Sequence, residues 1–318
     1  MRYVAGIDAG GTYTRCQVAD EKGCILSAGC GGPANRNFVS SVLAQRAVER
    51  ALSEALKPID KPVGLAVVAG PHLPAEAISY VSGRVRKIIV TDEFEATLAA
   101  GLQKTGGWGA VILSGTGSFC KGRNSKGREK YVGGWGPLIG DEGSGYDLAG
   151  EALRALVRAC DGRGKPTMLT KLIFSHFGIR EAQELKNTLY RPSIKRHRFA
   201  ELAKYVFVAA GKGDAVARGI LRNGGRKLAK LASPVMQGLF KRNERFPVVL
   251  SGGILFVTSV LSSTLIAEIK KGWPRANVFI PELQPVTGAA IIALDSIGVK
   301  INEEVISNLI QSNRRFRR

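Results

Sequence analysis

The residues best suited to chemistry on an anion sit in three glycine-rich turns, each placed directly after an apolar run. The first is Asp8-Ala9-Gly10-Gly11-Thr12, after residues 3–7. The second is Gly115-Thr116-Gly117-Ser118, after 110–114. The third is Ser251-Gly252-Gly253, after 247–250. Glycine removes the side-chain obstruction and leaves backbone N–H groups free, so turns of this kind approach phosphates closely. Asp8, at the end of a buried strand, is placed to hold Mg²⁺ through water, an ion that takes one or two carboxylates plus phosphate oxygens. Two further carboxylates stand out. Asp92 closes the run KIIVT, where it can reach into a site from a strand's carboxyl end or cap the helix that follows. Asp141, in GDEGS, can cap a helix starting near Ser144 or accept hydrogen bonds from a polyol.

These turns need strands before them and helices behind them, and the apolar periodicity supplies both. Strands are expected at 3–7, 16–19, 24–28, 63–68 and 87–91, with helices over 38–56 and 93–103. The opening layout then recurs: a strand at 110–114, a glycine turn, a strand at 119–123, the polar hairpin NSKG and a return strand at 129–133. Strand, glycine turn, strand, hairpin, strand in both halves constitutes a long-period internal repeat. A helix is expected over 144–160 with Ser144 as its N-cap. Helices dominate 166–245, broken at Gly178, at GKGD (211–214) and at Gly224-Gly225, with Asp214 in an N-cap position. Strands at 247–250 and 277–280 alternate with three closing helices.

Composition bounds the class. The chain has 318 residues, 45% hydrophobic and 23% charged, with a net charge of +20. The excess concentrates in 161–245, where 19 Lys/Arg face 6 Asp/Glu, and in the tail NRRFRR. Nucleic acid is not an expected partner, because no recognised binding motif accompanies the charge. Five cysteines, odd in number and without CxxC spacing, point to reduced thiols and away from a disulfide framework or zinc site. His72, His176 and His197 show no ligand spacing. The N-terminus does not read as a signal peptide and no apolar run suits a membrane span, so a cytoplasmic protein is expected.

Taken together, DAGGT, LSGTGSF and VVLSGGI resemble the two phosphate motifs and the adenosine motif of the actin-like ATPase fold shared by sugar kinases, Hsp70 and actin. Within that group, TDEFEATLAAG, SGTGS and GGWGPLIGDEGSGY, in that order, closely resemble the N-acetylglucosamine kinase branch of the BadF/BadG/BcrA/BcrD ATPase family, and the motifs span residues 4–290. The resemblance implies an α/β fold of two RNase H-like domains with a cleft between them, each a mixed five-stranded sheet flanked by helices. The expected domains are 1–103 with C-terminal helices at about 289–318, and 104–288 with a helical insertion.

The resemblance implies an ATP- and Mg²⁺-dependent kinase acting on the 6-hydroxyl of a hexosamine or hexose. N-acetylglucosamine or glucosamine is favoured, and a homodimer is expected. It makes Asp92 the general base. It gives Gly10, Gly11, Thr12 and Thr116 to the phosphates, and Gly252 and Gly253 to adenosine, with the Gly213-Asp214 turn assisting. Asn35, Gly117, Ser118 and Asp141 become sugar contacts, with Asn37 competing for the asparagine role. Trp135 is either core or a wall for the sugar, and Glu142 is structural. Two alternatives stand beside the kinase. One is an activator of a 2-hydroxyacyl-CoA dehydratase, which needs a cysteine near the second phosphate turn, where Cys120 lies. The other is a non-catalytic sugar-sensing regulator.

Overall fold

The structure is a computed structural model that describes residues 2–36, 39–70, 73–190, 196–255 and 258–316. Asn37 and His72 lie outside the described residues. The chain divides into two compact units, Met1–Val111 with Ile280–Arg318, and Ile112–Phe279.

In the first unit, β1 (Tyr3–Ala9), β2 (Thr14–Asp20) and β3 (Ile25–Gly31) form an antiparallel meander. Helix α1 (Ser41–Leu56), β4 (Val63–Ala69), α2 (Ala75–Ser82), β5 (Val85–Thr91) and α3 (Glu93–Leu102) follow. Strands β4 and β5 add in parallel beside β1, giving the order β3-β2-β1-β4-β5. Helix α2 was not among the elements the sequence pattern suggested. Alternation along β1 sends Tyr3, Ala5 and Ile7 into one core with Ala44, Val48 and Leu52 of α1, and Val4 into a second core on the opposite face.

The second unit carries β6 (Gly109–Ser114), within which the division falls, then β7 (Ser118–Arg123) and β8 (Glu129–Gly133). Among the described residues the helices α4 (Gly145–Cys160), α5 (Met168–Phe177), α6 (Glu184–Leu189), α7 (Arg196–Ala200), α8 (Ala203–Gly211) and α9 (Ala215–Leu239) come next. Strand β9 (Pro247–Ser251), α10 (Val260–Gly272) and β10 (Asn277–Phe279) complete the unit. Its sheet order is β10-β9-β6-β7-β8, with β7 and β8 antiparallel and β9 and β10 parallel. Counted from the β8 edge, this reproduces the order of the first sheet, so the repeat read from the sequence is a repeat of topology. Two mixed five-stranded sheets flanked by helices match the expected α/β class.

The chain then returns to the first unit as α11 (Pro285–Ser296) and α12 (Glu303–Asn313). Helix α11 lies so close to β1 that a Cβ on Gly6 would sit 2.4 Å from the carbonyl oxygen of Val286. Together α3, α11 and α12 cover the second face of the sheet, where Ala96, Ala100, Ala289, Leu294 and Leu309 are buried.

One expected break is absent. Helix α9 runs unbroken through Gly224-Gly225. The two glycines serve packing: a Cβ on Gly225 would lie 2.5 Å from the Leu261 carbonyl of α10, and one on Gly224 would lie 2.9 Å from the Leu148 side chain of α4. Glycine there is a seat for neighbouring helices, and the buried Leu221, Leu228, Val235 and Met236 carry the amphipathic face past it.

Candidate active site

Each unit presents candidate site residues at strand ends. In the first unit Asp8 is the penultimate residue of β1, opposite Arg15 on β2 and Ala69 on β4. Ala69 in turn pairs with Thr91 of β5. Asp8 and Asp92 therefore rise from the same carboxyl edge of the parallel strands, with β4 between them. Asp8 is 8% exposed, and its Oδ1 is buried with no hydrogen-bond partner among the described residues. Burial pushes its carboxyl up to about 6, against the pull of Arg15.

Asp92 is exposed and terminates β5. Its Oδ1 accepts the Glu95 amide at 2.9 Å, making it the N-cap of α3. The next residue, Glu93, was not singled out by its sequence. Its residue surface is half-buried, but its carboxyl is enclosed by protein. That enclosure, with Asp8 and Asp92 nearby, pushes it up to about 8. The signal lay in the adjacency Asp92-Glu93 at a strand end, which puts two acids at one edge of the sheet.

The Gly10–Thr12 turn closes with the Gly10 amide donating to the Tyr13 carbonyl at 3.0 Å. A Cβ on Gly11 would meet open space. Half-buried Asn35 lies in the loop after β3, its carbonyl accepting the Val39 amide at 3.2 Å.

In the second unit the Gly115–Ser118 turn is tied down from several directions. The Gly115 amide donates to the Gly117 carbonyl at 2.9 Å, and the Gly145 amide donates to the Gly115 carbonyl at 2.8 Å. Ser118 is the hub. Its Oγ donates to the Glu142 carbonyl at 2.8 Å, and its amide donates to Asp141 Oδ1 at 3.2 Å. Asp141 is 2% exposed and holds a left-handed backbone, φ 61°, which a short polar residue tolerates. It does not cap α4; Ser144 does, as expected. Lys227 of α9 reaches Asp147 at 2.9 Å, and Asp147 accepts the Gly143 amide at 2.8 Å, pinning the start of α4.

Asp141 also pairs with a residue that its sequence context did not suggest. Arg196, first residue of α7 and 55 positions along the chain, donates from Nη2 to Asp141 Oδ2. Room for the pair comes from Gly117, where a Cβ would fall 2.7 Å from Asp141 Oδ2 and 2.9 Å from Arg196 Nη2.

The Gly252-Gly253 turn abuts the Gly115 turn. A Cβ on Gly252, which has φ +95°, would sit 2.3 Å from the Ser114 carbonyl, while Gly253 faces open space. Thr116, within the Gly115–Ser118 turn, is half-buried. Asp214 has its carboxylate committed: Oδ1 accepts the Ala217 amide at 2.8 Å, and Oδ2 accepts Thr167 Oγ1 at 2.8 Å and the Met168 amide at 2.6 Å. Burial pushes its carboxyl up, but these bonds together outweigh it and hold the group below the usual range. Gly213 beside it has φ +92° and open space around it. Trp135 is 73% exposed, in a loop with Leu138 and Ile139 at 92% and 77%. It is not a core residue.

The sequence matches the BadF/BadG/BcrA/BcrD ATPase family across residues 5–293. The chain is a member of that family. Among relatives, it is 30% identical over 303 residues to an N-acetylmuramic acid/N-acetylglucosamine kinase of Clostridium acetobutylicum, covering 92% of this chain and 98% of that one. It is 27% identical over 311 residues to an N-acetyl-D-glucosamine kinase of Dictyostelium discoideum, covering 92% and 97%. A crystal structure described as a putative N-acetylglucosamine kinase from Chromobacterium violaceum superimposes with a TM-score of 0.69 at 26% identity, covering 92% of this chain and 99% of that one. As a BadF/BadG/BcrA/BcrD ATPase family member, the chain carries its glycine turns at the ends of β1, β6 and β9. No helix among its described residues is long and apolar enough to cross a membrane.

Proposed function

We propose that this chain is an ATP-dependent kinase that phosphorylates the 6-hydroxyl of a hexosamine, with N-acetylglucosamine or glucosamine favoured and other hexoses accepted. The observation that carries the reading is the double use of Ser118. It follows the turn suited to phosphate, and its amide fixes Asp141, a buried acceptor suited to sugar hydroxyls. A charged acceptor left without its hydroxyl is costly, which makes such a residue selective. The kinase names of the full-length relatives point the same way, and N-acetylmuramic acid joins the candidate substrates on that ground.

Gly10, Gly11, Thr12 and Thr116 contact the phosphates. Gly252 and Gly253 receive adenosine, with the Gly213-Asp214 backbone alongside, since the Asp214 carboxylate is already engaged. Asn35, Gly117, Ser118 and Asp141 hold the sugar, and Trp135 supplies an apolar wall for its ring or N-acetyl group. Asp92 Oδ2 accepts the proton of the attacking hydroxyl while Oδ1 stays on the helix cap. Little covalent chemistry is asked of the protein; positioning and charge do the rest.

Asp8 fits Mg²⁺: a buried carboxylate oxygen with no hydrogen-bond partner among the described residues, at a strand end beside a glycine turn, is suited to hold a cation. The ion would neutralise developing charge on the phosphates. A homodimer in the cytoplasm, where ATP is available, completes the proposal.

The activator alternative is not supported by the one cysteine it needs. Cys120 is fully buried, and burial pushes its thiol far above the usual range. The deciding experiment is coupled ADP release over N-acetylglucosamine, glucosamine, glucose, mannose, N-acetylmannosamine and N-acetylmuramic acid. Stimulation by one or more of these is expected. No stimulation by any of them would overturn the kinase reading.

A further inference from the structure

The basic segment between α4 and α9 has no obvious employment, yet one of its cations is drawn inside. Arg196 is 15% exposed at its side chain, and Asp141, its partner, is 3% exposed. Burying a guanidinium and a carboxylate is costly unless each answers the other. Around them stand the Ser118 amide on Asp141 Oδ1, the nearby backbone of Gly136 and the neighbouring Glu142. The Tyr146 ring packs on Phe199 of α7 at 4.4 Å between centroids, which anchors the helix that carries Arg196.

A carboxylate has about four acceptor positions. Two donors are seen on it, the Ser118 amide and Arg196 Nη2. The group is therefore oriented, still has acceptor capacity for a hydroxyl, and need not lose Arg196 to use it.

We infer that Arg196 is the positioning residue of the sugar half-site: it fixes and aims the Asp141 carboxylate, so that sugar affinity depends on a side chain from the basic segment that need not touch the sugar. This rests on the reading of Asp141 as a sugar ligand. Burial leaves the Asp141 carboxyl above its ordinary range, and the Ser118 amide and the Arg196 charge keep it from rising further. Without the guanidinium, a larger share of the protein would carry a neutral, poorly accepting Asp141 at a given pH.

The test is Arg196→Met and Arg196→Lys in the full chain, with sugar KM, ATP KM and the pH profile of kcat/KM for the sugar. Arg196→Met is expected to raise the sugar KM about tenfold or more, leave the ATP KM within error, and move the acid limb of the profile to higher pH. Arg196→Lys is expected to return the acid limb toward that of the unmodified protein, because the charge is restored, while recovering only part of the affinity. Should Arg196→Met fail to fold, the lysine variant alone decides, since loss of the planar fork predicts a raised sugar KM at an unmoved acid limb.

An unchanged sugar KM and acid limb in a folded variant would overturn the inference, as would an equal rise in sugar and ATP KM with a lowered melting temperature, which marks a purely structural pair. If the unmodified protein shows no sugar-stimulated ADP release, the kinase reading falls, and this inference with it. Sugar-stimulated release with an indifferent Arg196→Met sinks the inference alone.

Discussion

Asp92 accepts the backbone amide of Glu95 at 2.9 Å, so the residue proposed as general base is also the cap that starts α3. The two roles separate by substitution, because asparagine caps a helix about as well as aspartate but cannot take a proton. Asp92→Asn should keep its melting temperature and its binding of ATP and sugar, while turnover falls by about 10²–10⁴-fold. Asp92→Ala should lose turnover and also about 1 kcal/mol of stability. Steady-state kinetics with denaturant melts on both variants checks this, and near-normal turnover in Asp92→Asn would remove Asp92 from the chemistry.

The acids at this edge also predict how stability depends on pH. Between 4.5 and about 8 for Glu93, and between 3.8 and about 6 for Asp8, the folded chain retains protons that the unfolded chain has released. More protons bound in the folded state means that raising the pH favours unfolding. Without nucleotide, the melting temperature should fall as pH rises through this window. Glu93→Gln should flatten the decline and melt higher than the unmodified protein at pH 8. A melting temperature that rises across the window would contradict the arrangement.

Gly252 and Gly253 should respond oppositely to alanine. At Gly252, with φ +95° and the Ser114 carbonyl 2.3 Å from any Cβ, Gly252→Ala should cost about 1–3 kcal/mol from backbone conformation alone, plus the clash, and should weaken ATP binding. At Gly253, which faces open space, Gly253→Ala should fold normally and raise only the ATP KM. Paired melts and ATP titrations distinguish the two.

Gly225→Ala sets propensity against packing. Alanine is the better helix former by about 1 kcal/mol, but its Cβ would stand 2.5 Å from the Leu261 carbonyl. We expect net destabilisation, by about 1–3 kcal/mol, read by chemical denaturation. A stabilised variant would mean that α9 and α10 can separate without cost.

Much of this was legible because it is local. Strands show as apolar runs closed by glycine, and caps such as Ser144 and Asp214 show as polar residues ahead of a periodic stretch. What escaped is decided by packing between distant segments. Gly224-Gly225 reads as a break until α10 lies across it. Arg196 reads as one cation among many until the fold sets it on Asp141. Glu93 reads as an ordinary first-turn acid until Asp8, two strands away, enters its field. The exposure of Trp135 is likewise a property of the loop, where Gly133, Gly134 and Gly136 all hold positive φ.

The shared strand order of the two sheets has an evolutionary consequence. Among the described residues, the connection from the third strand to the fourth in the first unit holds α1; in the second, the corresponding connection from β8 to β9 holds α4 to α9. Asn35 and Asp141, proposed to grip the same sugar, both lie in the opening stretch of that corresponding connection. An ancestral duplication would thus have kept the nucleotide-facing turns in both copies and left one link per copy free to diversify. Changes of sugar preference among descendants of such a duplication should accumulate in that link, with the turns that face ATP left alone.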